Sequence, residues 1–552
     1  MTFKAFNKKL DFFSKIHFLQ KKNIPNCLVF CKKKWQNFIN DAITSNTKKH
    51  LLLVFYIGLL NFFATAPFCF IIILPLTFGS LFYIFEKRNY SGIISRLLTI
   101  FAFLCGYFTS IFWWLSVPLT VDFLHLFWLT PFALFGVPVL MSAIFIIFFT
   151  ICFVVLGKFF YYKKNISQNV KDMLFVFAFL LCWFLGDYVR GHFLFGGFPW
   201  MLFGHFITYS FALQPVRFLG IDLYSIFCLY LALIPYILLF KRKNKFLKNT
   251  SFFVLIFWFL NCLIGFIYLS CKQTDKLGIN VFASQPNVPA SVQMNIKQMR
   301  ETINENAKIL SIFSGISKPS LMLMPEGSVN FNIDSGDILT KIIGRLVPND
   351  NSLLLAGGID AHGVSPYNVI YAINKNGYIL DIYKKQKLVP FGEYIPFRRF
   401  FPYLTRLITG GNFDFSTSKI NDLFVLYRDL PVIYPIICYE SIFPDLIKKN
   451  IELSRQQINY DINERYAEQV GIKTLKERGE IIVNLTNDAW MKWSTGAYQH
   501  FLMARFLAIS TGLPVIRVSN NGFSAFIDSC GRIVEKTKLN KKDLLTISNF
   551  KR

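Results

Sequence analysis

The sequence predicts two parts suited to different solvents. A multi-pass α-helical membrane domain occupies residues 51–271 and an α/β domain of layered sheets and helices occupies 272–552, both behind a basic extension over 1–50. Three observations predict this. Of 552 residues, 53% are hydrophobic, 18% are aromatic and only 16% are charged, where a soluble protein has about a quarter charged. Seven apolar runs, at about 51–66, 67–86, 97–117, 134–157, 172–189, 218–240 and 251–270, approach the roughly 20 residues that cross a bilayer. After about residue 278 these runs give way to short β-type segments alternating with helical ones, the pattern of a layered α/β domain.

Charge decides how the runs are threaded. The net charge is +27, but residues 1–271 hold 25 Lys and Arg against 7 Asp and Glu, and residues 272–552 hold 34 against 25. The excess lies in the greasy half, whereas nucleic-acid binders gather it on one polar face; no nucleic-acid partner is expected. Basic clusters fall on alternate connections: segment 1–50, then Lys87, Arg88 and Arg96, then Lys158, Lys163, Lys164 and Lys171, then Lys241 to Lys248. Loop 118–133 has no Lys or Arg, and loop 190–217 has only Arg190 and Arg217. The positive-inside rule then places the N-terminus in the cytoplasm and everything after 271 on the outer side.

Segment 1–50 lacks the apolar core and cleavage site of a signal peptide and reads as a basic anchor on anionic lipid. Loop 190–217 contains Gly196-Gly197-Phe198-Pro199-Trp200, either a re-entrant or interfacial hairpin or an ordinary aromatic-belt loop. Of eleven cysteines, Cys69, Cys105, Cys152, Cys182, Cys228 and Cys262 lie in apolar runs as small hydrophobes, and none shows metal-site spacing.

In the outer domain, strands are expected at 279–283, 321–324, 353–357, 423–427, 432–438, 481–485, 515–519 and 523–528, with a hairpin of 367–374 and 378–384 about Asn376-Gly377. Helices are expected at 290–315 and near 497–510. The charged stretch 445–479 reads as helical and as a solvated surface insertion.

Three reactive side chains stand where strands end, where α/β sheets display chemistry. Glu326 follows "LMLMP", Lys385 lies in "YKKQKLVPFGEY", and Cys438 closes "VIYPIIC" before Tyr439 and Glu440. A thiol can carry an acyl group, a carboxylate can take and return its proton, and an ammonium can stabilise an oxyanion. Strand alternation separates Lys384 from Lys385 but leaves Lys385 and Lys387 as alternatives.

The stretches "MPE", "YKKQKLVPFGEY", "PIICYESIFPDL" and "NLTNDAWMKWSTGAYQHFLMARFLAISTGLPVIRVSNNG", with "GFPW" at 197–200, closely resemble those of the bacterial apolipoprotein N-acyltransferases. The resemblance implies a nitrilase-like four-layer α-β-β-α sandwich on a membrane base. It implies Glu326 as general base, Lys385 as oxyanion lysine and Cys438 as nucleophile, and it selects Lys385 because the family's lysine stands eight positions before the Glu of "PFGE". Glu393, Tyr439 and Glu440 match residues used around the substrate pocket, while Asn484, Asn487, Arg505 and Asn520 read as loop-holding residues. The implied reaction moves a fatty acyl chain from a membrane phospholipid to the α-amine of an apolipoprotein's diacylglyceryl-cysteine. It proceeds through a Cys438 thioester at the bacterial inner membrane, with the catalytic domain periplasmic and no metal or nucleotide required. A membrane-tethered nitrilase-type amidase and an inactive membrane scaffold are the alternatives.

The sequence also departs from the family. "QMN" at 293–295 puts Met294 where an aromatic is usual, Lys387 stands where a His is usual, and 445–479 is unusual. No run after 515 is long enough for the family's last transmembrane helix. That leaves the outer domain held by one membrane connection instead of two, or the reading frame truncated.

Overall fold

The structure is a computed structural model that describes residues 24–121, 126–163, 165–290, 295–363, 365–396, 398, 414–418, 424–461 and 479–548. The side chains of 24–32 and 459–461 are not described. The first 23 residues of the basic extension, Met294 and the 462–478 part of the charged stretch lie outside the described residues.

The membrane half opens with helices α1 (Ile24–Thr44), α2 (Thr47–Leu59) and α3 (Ile73–Lys87), continues with α4 (Ile93–Phe112), α5 (Val137–Tyr162) and α6 (Gln168–His192), and ends with α7 (Val216–Phe240) and α8 (Lys245–Cys271). Among the described residues five helical spans are long and apolar enough to cross a membrane: Ile93–Thr120, Phe127–Tyr162, Gln168–His192, Val216–Phe240 and Lys245–Cys271. Five of the seven expected runs therefore form full-length spans, whereas the first two form the 13-residue α2 and the 15-residue α3. Pro67 interrupts the run between them, and α2 ends in a 3-10 turn over Leu60–Ala64. In the most apolar window of α8 only 6% of residues are buried; one stripe through Ser251, Val254, Trp258 and Gly265 packs on the bundle, and the other faces present apolar side chains outward, as a lipid-facing span does. Helices α2 and α4 cross closely because each supplies a glycine: a Cβ on Gly58 would lie 2.2 Å from the Phe103 carbonyl oxygen, and one on Gly106 would lie 2.0 Å from that of Phe55.

The second half is built on two sheets. One has six strands in the order β11-β1-β2-β3-β4-β5 and the other five in the order β10-β9-β8-β7-β6. The strands of the first are β1 (Asn280–Gln285), β2 (Ser320–Val329), β3 (Leu353–Asp360), β4 (Tyr367–Ile373), β5 (Ile379–Lys384) and β11 (Asp543–Ile547). Those of the second are β6 (Val432–Ile437), β7 (Glu480–Thr486), β8 (Val515–Ser519), β9 (Ala525–Ile527) and β10 (Ile533–Lys536). In each sheet three neighbouring strands are parallel, β1-β2-β3 and β6-β7-β8, and the added strands are antiparallel.

The facing sides of the sheets share one core, with Val281, Leu321, Leu323 and Leu355 against Ile433, Ile437, Val483 and Ile516. Helix α9 (Ile296–Leu310) and helix α10 (Ile338–Gly344) cover the outer side of the first sheet through Leu310 and Ile343. Helix α11 (Pro444–Asp461) and helix α12 (Thr495–Thr511) cover the second through Ile447, Ile451, Ala504 and Leu507. The result is the expected α-β-β-α sandwich.

Four expectations need correction. The stretch beginning at 445 is not a solvated insertion through its first 17 residues: Ile447, Ile451 and Ile458 of α11 are buried and form one stripe, which the surrounding Lys, Arg and Gln disguise. Residues 424–427 form no strand, only an isolated bridge from Val425 to Ile433. Strands β10 and β11 were not expected; β10 is exposed along its length, and β11 pairs with β1 from the far end of the chain. Helix α9 begins later than expected, where Asn295 and Gln298 form a reciprocal capping box.

Candidate active site

Each reactive side chain is delivered by a different strand end. Glu326 sits near the C-terminal end of β2, just beyond the regular pairing with β3. Gly357 of β3 makes room for it, since a Cβ there would lie 2.5 Å from the Glu326 Cα. Lys385 follows β5, and its N–H donates to the Asn368 carbonyl at 2.9 Å, which seats its side chain on the Asn368 side. Cys438 follows β6 and starts a 3-10 turn over Cys438–Ile442.

The structure brings Lys385 between two carboxylates. Its Nζ donates to Glu393 Oε1 at 2.7 Å and lies 3.5 Å from Glu326 Oε1. Asn368 Nδ2 bridges the same two oxygens at 2.9 and 2.8 Å. The remaining oxygens take backbone N–H groups, Val389 on Glu393 and Asn487 on Glu326, both at 2.8 Å. Burial works against the Lys385 ammonium, but Glu393, Glu326 and Cys438 outweigh it and hold the group above the ordinary lysine range. One ammonium thus faces two carboxylates, so the cluster carries surplus negative charge next to a thiol.

The thiol of Cys438 belongs to this cluster electrostatically. Burial and then Glu326 push it above the ordinary thiol range, Asp488 adds to that, and Lys385 and Thr486 oppose it. The residue remains half-buried rather than sealed. It is therefore a protonated thiol at neutral pH, which needs a base to become a nucleophile. Its backbone is strained: φ is +48°, a left-handed conformation that costs a residue with a Cβ about 1–3 kcal/mol.

The other sequence-selected residues divide by place. Glu393 touches Lys385 directly. Glu440 lies behind the cluster, fully buried, with Oε1 accepting from the N–H groups of Gln386 and Lys387 at 2.6 and 3.2 Å. Its Oε2 accepts from the Ile437 N–H at 2.7 Å and the Tyr383 hydroxyl at 3.0 Å. That geometry ties the Lys385 turn to the Cys438 turn. Tyr439 points to the membrane half, its hydroxyl 3.3 Å from the Gly197 carbonyl and its ring against Phe198 and Phe443.

Lys384 and Lys387 turn elsewhere. Lys384 pairs with Asp360 at 2.8 Å, and Lys387 Nζ donates to the Gly196 carbonyl at 2.9 Å. Asn487 and Asn520 bond to one another at 3.0 Å, and Arg505 binds Ser210 and the Gly531 carbonyl at 2.8 and 3.1 Å, all loop-holding contacts.

Sequence reasoning missed Asn368. The available signal was its place on β4 next to Val369, which is in register with Lys384. It also missed the buried group of Asp488, His500 and Arg517, in which His500 Nδ1 lies 2.8 Å from Asp488 Oδ1 and Arg517 donates to Asp488 Oδ2 at 2.6 Å. The loop holding Gly196 to Trp200 is an inward-folded segment rather than an aromatic belt: Trp200 is 2% exposed, and its indole N–H donates to Gln499 of α12 at 2.8 Å. Through Tyr439, Ile442, Leu502 and Phe506, the sandwich and the membrane helices share one apolar core.

Comparison with known sequences agrees with both halves. The family model described as the apolipoprotein N-acyltransferase N-terminal domain matches residues 57–233, and that of carbon-nitrogen hydrolase matches 290–548. The apolipoprotein N-acyltransferase of Rickettsia bellii is 30% identical over 493 residues, covering 88% of each chain. That of Rickettsia prowazekii is 29% identical over 501 residues, 89% of this chain and 90% of the relative. That of Rhizobium etli is 30% identical over 520 residues, 88% of this chain and 87% of the relative. Similarity that runs unbroken from the membrane helices through the sandwich, along almost the whole of both chains, makes this protein a member of the apolipoprotein N-acyltransferase family, acyltransferases that act on lipoproteins.

Proposed function

We propose that the protein transfers a fatty acyl chain from a membrane phospholipid to the free α-amine of a diacylglyceryl-cysteine at the N-terminus of an apolipoprotein, through a thioester on Cys438. Glu326 takes the Sγ proton as sulfur attacks the ester carbonyl of the lipid. The tetrahedral oxyanion is held by the Lys385 ammonium. Collapse breaks the C–O bond, Glu326 returns the proton to the leaving alkoxide, and a lysophospholipid departs. The amine then attacks the thioester, its proton passes to Glu326, and the C–S bond breaks as the thiol is restored. Glu393 and Asn368 keep Lys385 charged and aimed, and Glu440 is a positioning residue. The catalytic domain works on the periplasmic side of a bacterial inner membrane, where both lipid substrates are anchored.

The observation that supports this reading is the half-buried thiol of Cys438 beside surplus carboxylate, in a domain whose core continues into apolar helices. Incubation of the full chain with phosphatidylethanolamine vesicles should add one acyl mass to the intact protein. A synthetic diacylglyceryl-cysteine peptide should discharge it, and Cys438→Ser should never gain it. Free fatty acid released with no N-acylated peptide would instead favour an amidase-type hydrolysis, and N-acylation by Cys438→Ser at the wild-type rate would exclude the thioester.

A further inference from the structure

Cys438 keeps its left-handed φ of +48° only because its surroundings hold it there. Its carbonyl accepts from the Ser441 hydroxyl at 2.9 Å, lies 3.2 Å from His500 Nε2, and lies 3.5 Å from Asn484 Nδ2. His500 Nδ1 lies 2.8 Å from Asp488 Oδ1 and 3.2 Å from Arg517 Nη2, which also donates to Asp488 Oδ2 at 2.6 Å, and all three residues are at most 1% exposed. None of them faces the lysine and its two carboxylates.

The residue before His500 on α12 is held by the other half of the molecule. Gln499 Oε1 accepts from the indole N–H groups of Trp114 and Trp200 at 3.0 and 2.8 Å, and Gln499 Nε2 donates to the Ile111 carbonyl at 3.2 Å. The Trp200 ring also lies 5.4 Å from the His500 ring. Behind Trp200, Arg190 of α6 donates to the carbonyls of Trp200 and Phe198 at 2.7 and 3.2 Å, and to Asp187 at 2.7 Å. A continuous buried hydrogen-bonded path thus runs from a membrane helix through the Gly196–Trp200 loop and one turn of α12 to the backbone of the nucleophile.

We infer that Gln499 and His500 are positioning residues for acyl transfer: His500 fixes the Cys438 carbonyl, and Gln499 ties the same helical turn to the membrane-domain tryptophans, so the thiol is aimed only while the sandwich is seated on its membrane base. This rests on the thioester reading above. A misplaced nucleophile loses chemistry rather than binding. Gln499 meets the membrane-side loop, while Ser441, His500 and Asn484 converge on the Cys438 carbonyl. Gln499 bonds three groups of the membrane half and none of its own domain among the described contacts.

The test uses the full chain in phosphatidylethanolamine vesicles with two independent readouts: kcat and KM for the lipopeptide acceptor, and the rate at which iodoacetamide alkylates Cys438. Gln499→Leu strands two indole N–H groups and a carbonyl and should lower the thermal midpoint; at temperatures where the chain stays folded it should lower kcat about 10-fold with KM within about twofold and change the alkylation rate. His500→Ala should do the same more strongly, His500→Gln should restore part of the loss, and the double variant should be no worse than His500→Ala alone. Unchanged kcat and alkylation in Gln499→Leu, or fully additive losses in the double variant, would overturn the inference. If Gln499→Leu does not fold, Trp200→Phe, which keeps the ring and removes the N–H donor, decides in the same way. A wild-type chain that alkylates normally but acylates nothing would refute the proposed function, while the alkylation series would still decide this point.

Discussion

The Asp187–Arg190 pair of the membrane half and the Lys385 cluster of the catalytic half use the same kinds of charge in similarly buried settings. In the first, one guanidinium meets one carboxylate at 2.7 Å, and the other donors of Arg190 that are satisfied go to backbone carbonyls. Charge is balanced one to one, and no thiol stands beside it. In the second, one ammonium meets two carboxylates and a thiol. The first pair, closed off by an indole N–H and backbone carbonyls, serves as a fastening. The second sets a carboxylate in one cluster with a thiol, the arrangement that a general base requires. The proposed site thus differs from the fastening in the company its cation keeps, two carboxylates and a thiol against one carboxylate and backbone carbonyls.

The largest expected effect comes from removing the surplus. Glu326→Gln should lower acyl transfer by about 10³-fold, in the upper part of the range for a positioned base, and should prevent the acyl mass from appearing in intact-protein spectra. The same substitution should speed alkylation of Cys438. Glu326 raises the thiol pKa, so its removal lets more thiolate form at a given pH. In the wild type, alkylation should keep rising with pH beyond the ordinary thiol value of about 8.5, because burial and Glu326 hold the proton on. Opposite signs in the two assays would separate loss of the base from loss of the nucleophile. Parallel losses would mean that Glu326 acts only by shaping the site.

Next in size is Lys385→Met. It should cost about 10²–10³-fold in kcat, the scale of one oxyanion donor, and should slow alkylation, since Lys385 is the charge that lowers the thiol pKa. Glu393→Gln should cost less, about 10-fold, because it removes an aiming contact and leaves the charge. The contrast was partly legible in the sequence. Alternation along β5 puts Lys384 on the face away from Lys385, and the structure pairs Lys384 with Asp360. Lys387 could not be separated in that way, because residues two apart share a strand face; in the structure the chain has left the strand there, and Lys387 turns toward Gly196. Asn368 was overlooked because a polar residue at a strand start is ordinary, and its signal lies only in the pairing of β4 with β5, which sets it beside Lys385.

The balanced pair should behave differently. Arg190→Met strands the buried Asp187 carboxylate and should cost about 3–5 kcal/mol of stability, read as a lowered thermal midpoint in detergent. Adding Asp187→Asn should recover much of that, whereas no second substitution at Glu326 or Glu393 should recover the activity lost in Lys385→Met. The sequence showed Arg190 only as a basic residue on a sparse outer loop. Its partner lies three residues back on α6, and the carbonyls it binds come from the Gly-Phe-Pro-Trp turn that follows. Long, uniform elements were easier to read: the apolar spans and the parallel strands matched closely, because a single pattern of burial governs each. The buried face of helix α11 was obscured because its three core isoleucines are outnumbered by polar residues, and β11 because its partner β1 lies at the opposite end of the domain.

The smallest effect should come from Lys387→Ala, and it tests the comparison most finely. Lys387 lies two residues from Lys385, carries the same charge, and its ammonium lies 5.2 Å from the Phe443 ring as well as on the Gly196 carbonyl. If proximity to the site were enough, its loss would resemble that of Lys385. Its contacts, however, are one solvent-exposed hydrogen bond and one ring face, together about 1–2 kcal/mol at most, and no carboxylate of the cluster is among them. Lys387→Ala should therefore leave kcat and the alkylation rate within about threefold of wild type, with any change in KM, since the contact it loses is to the membrane-side loop rather than to the reacting atoms. A loss in kcat approaching that of Lys385→Met would mean that charge near the thiol, not its pairing with two carboxylates, makes the site.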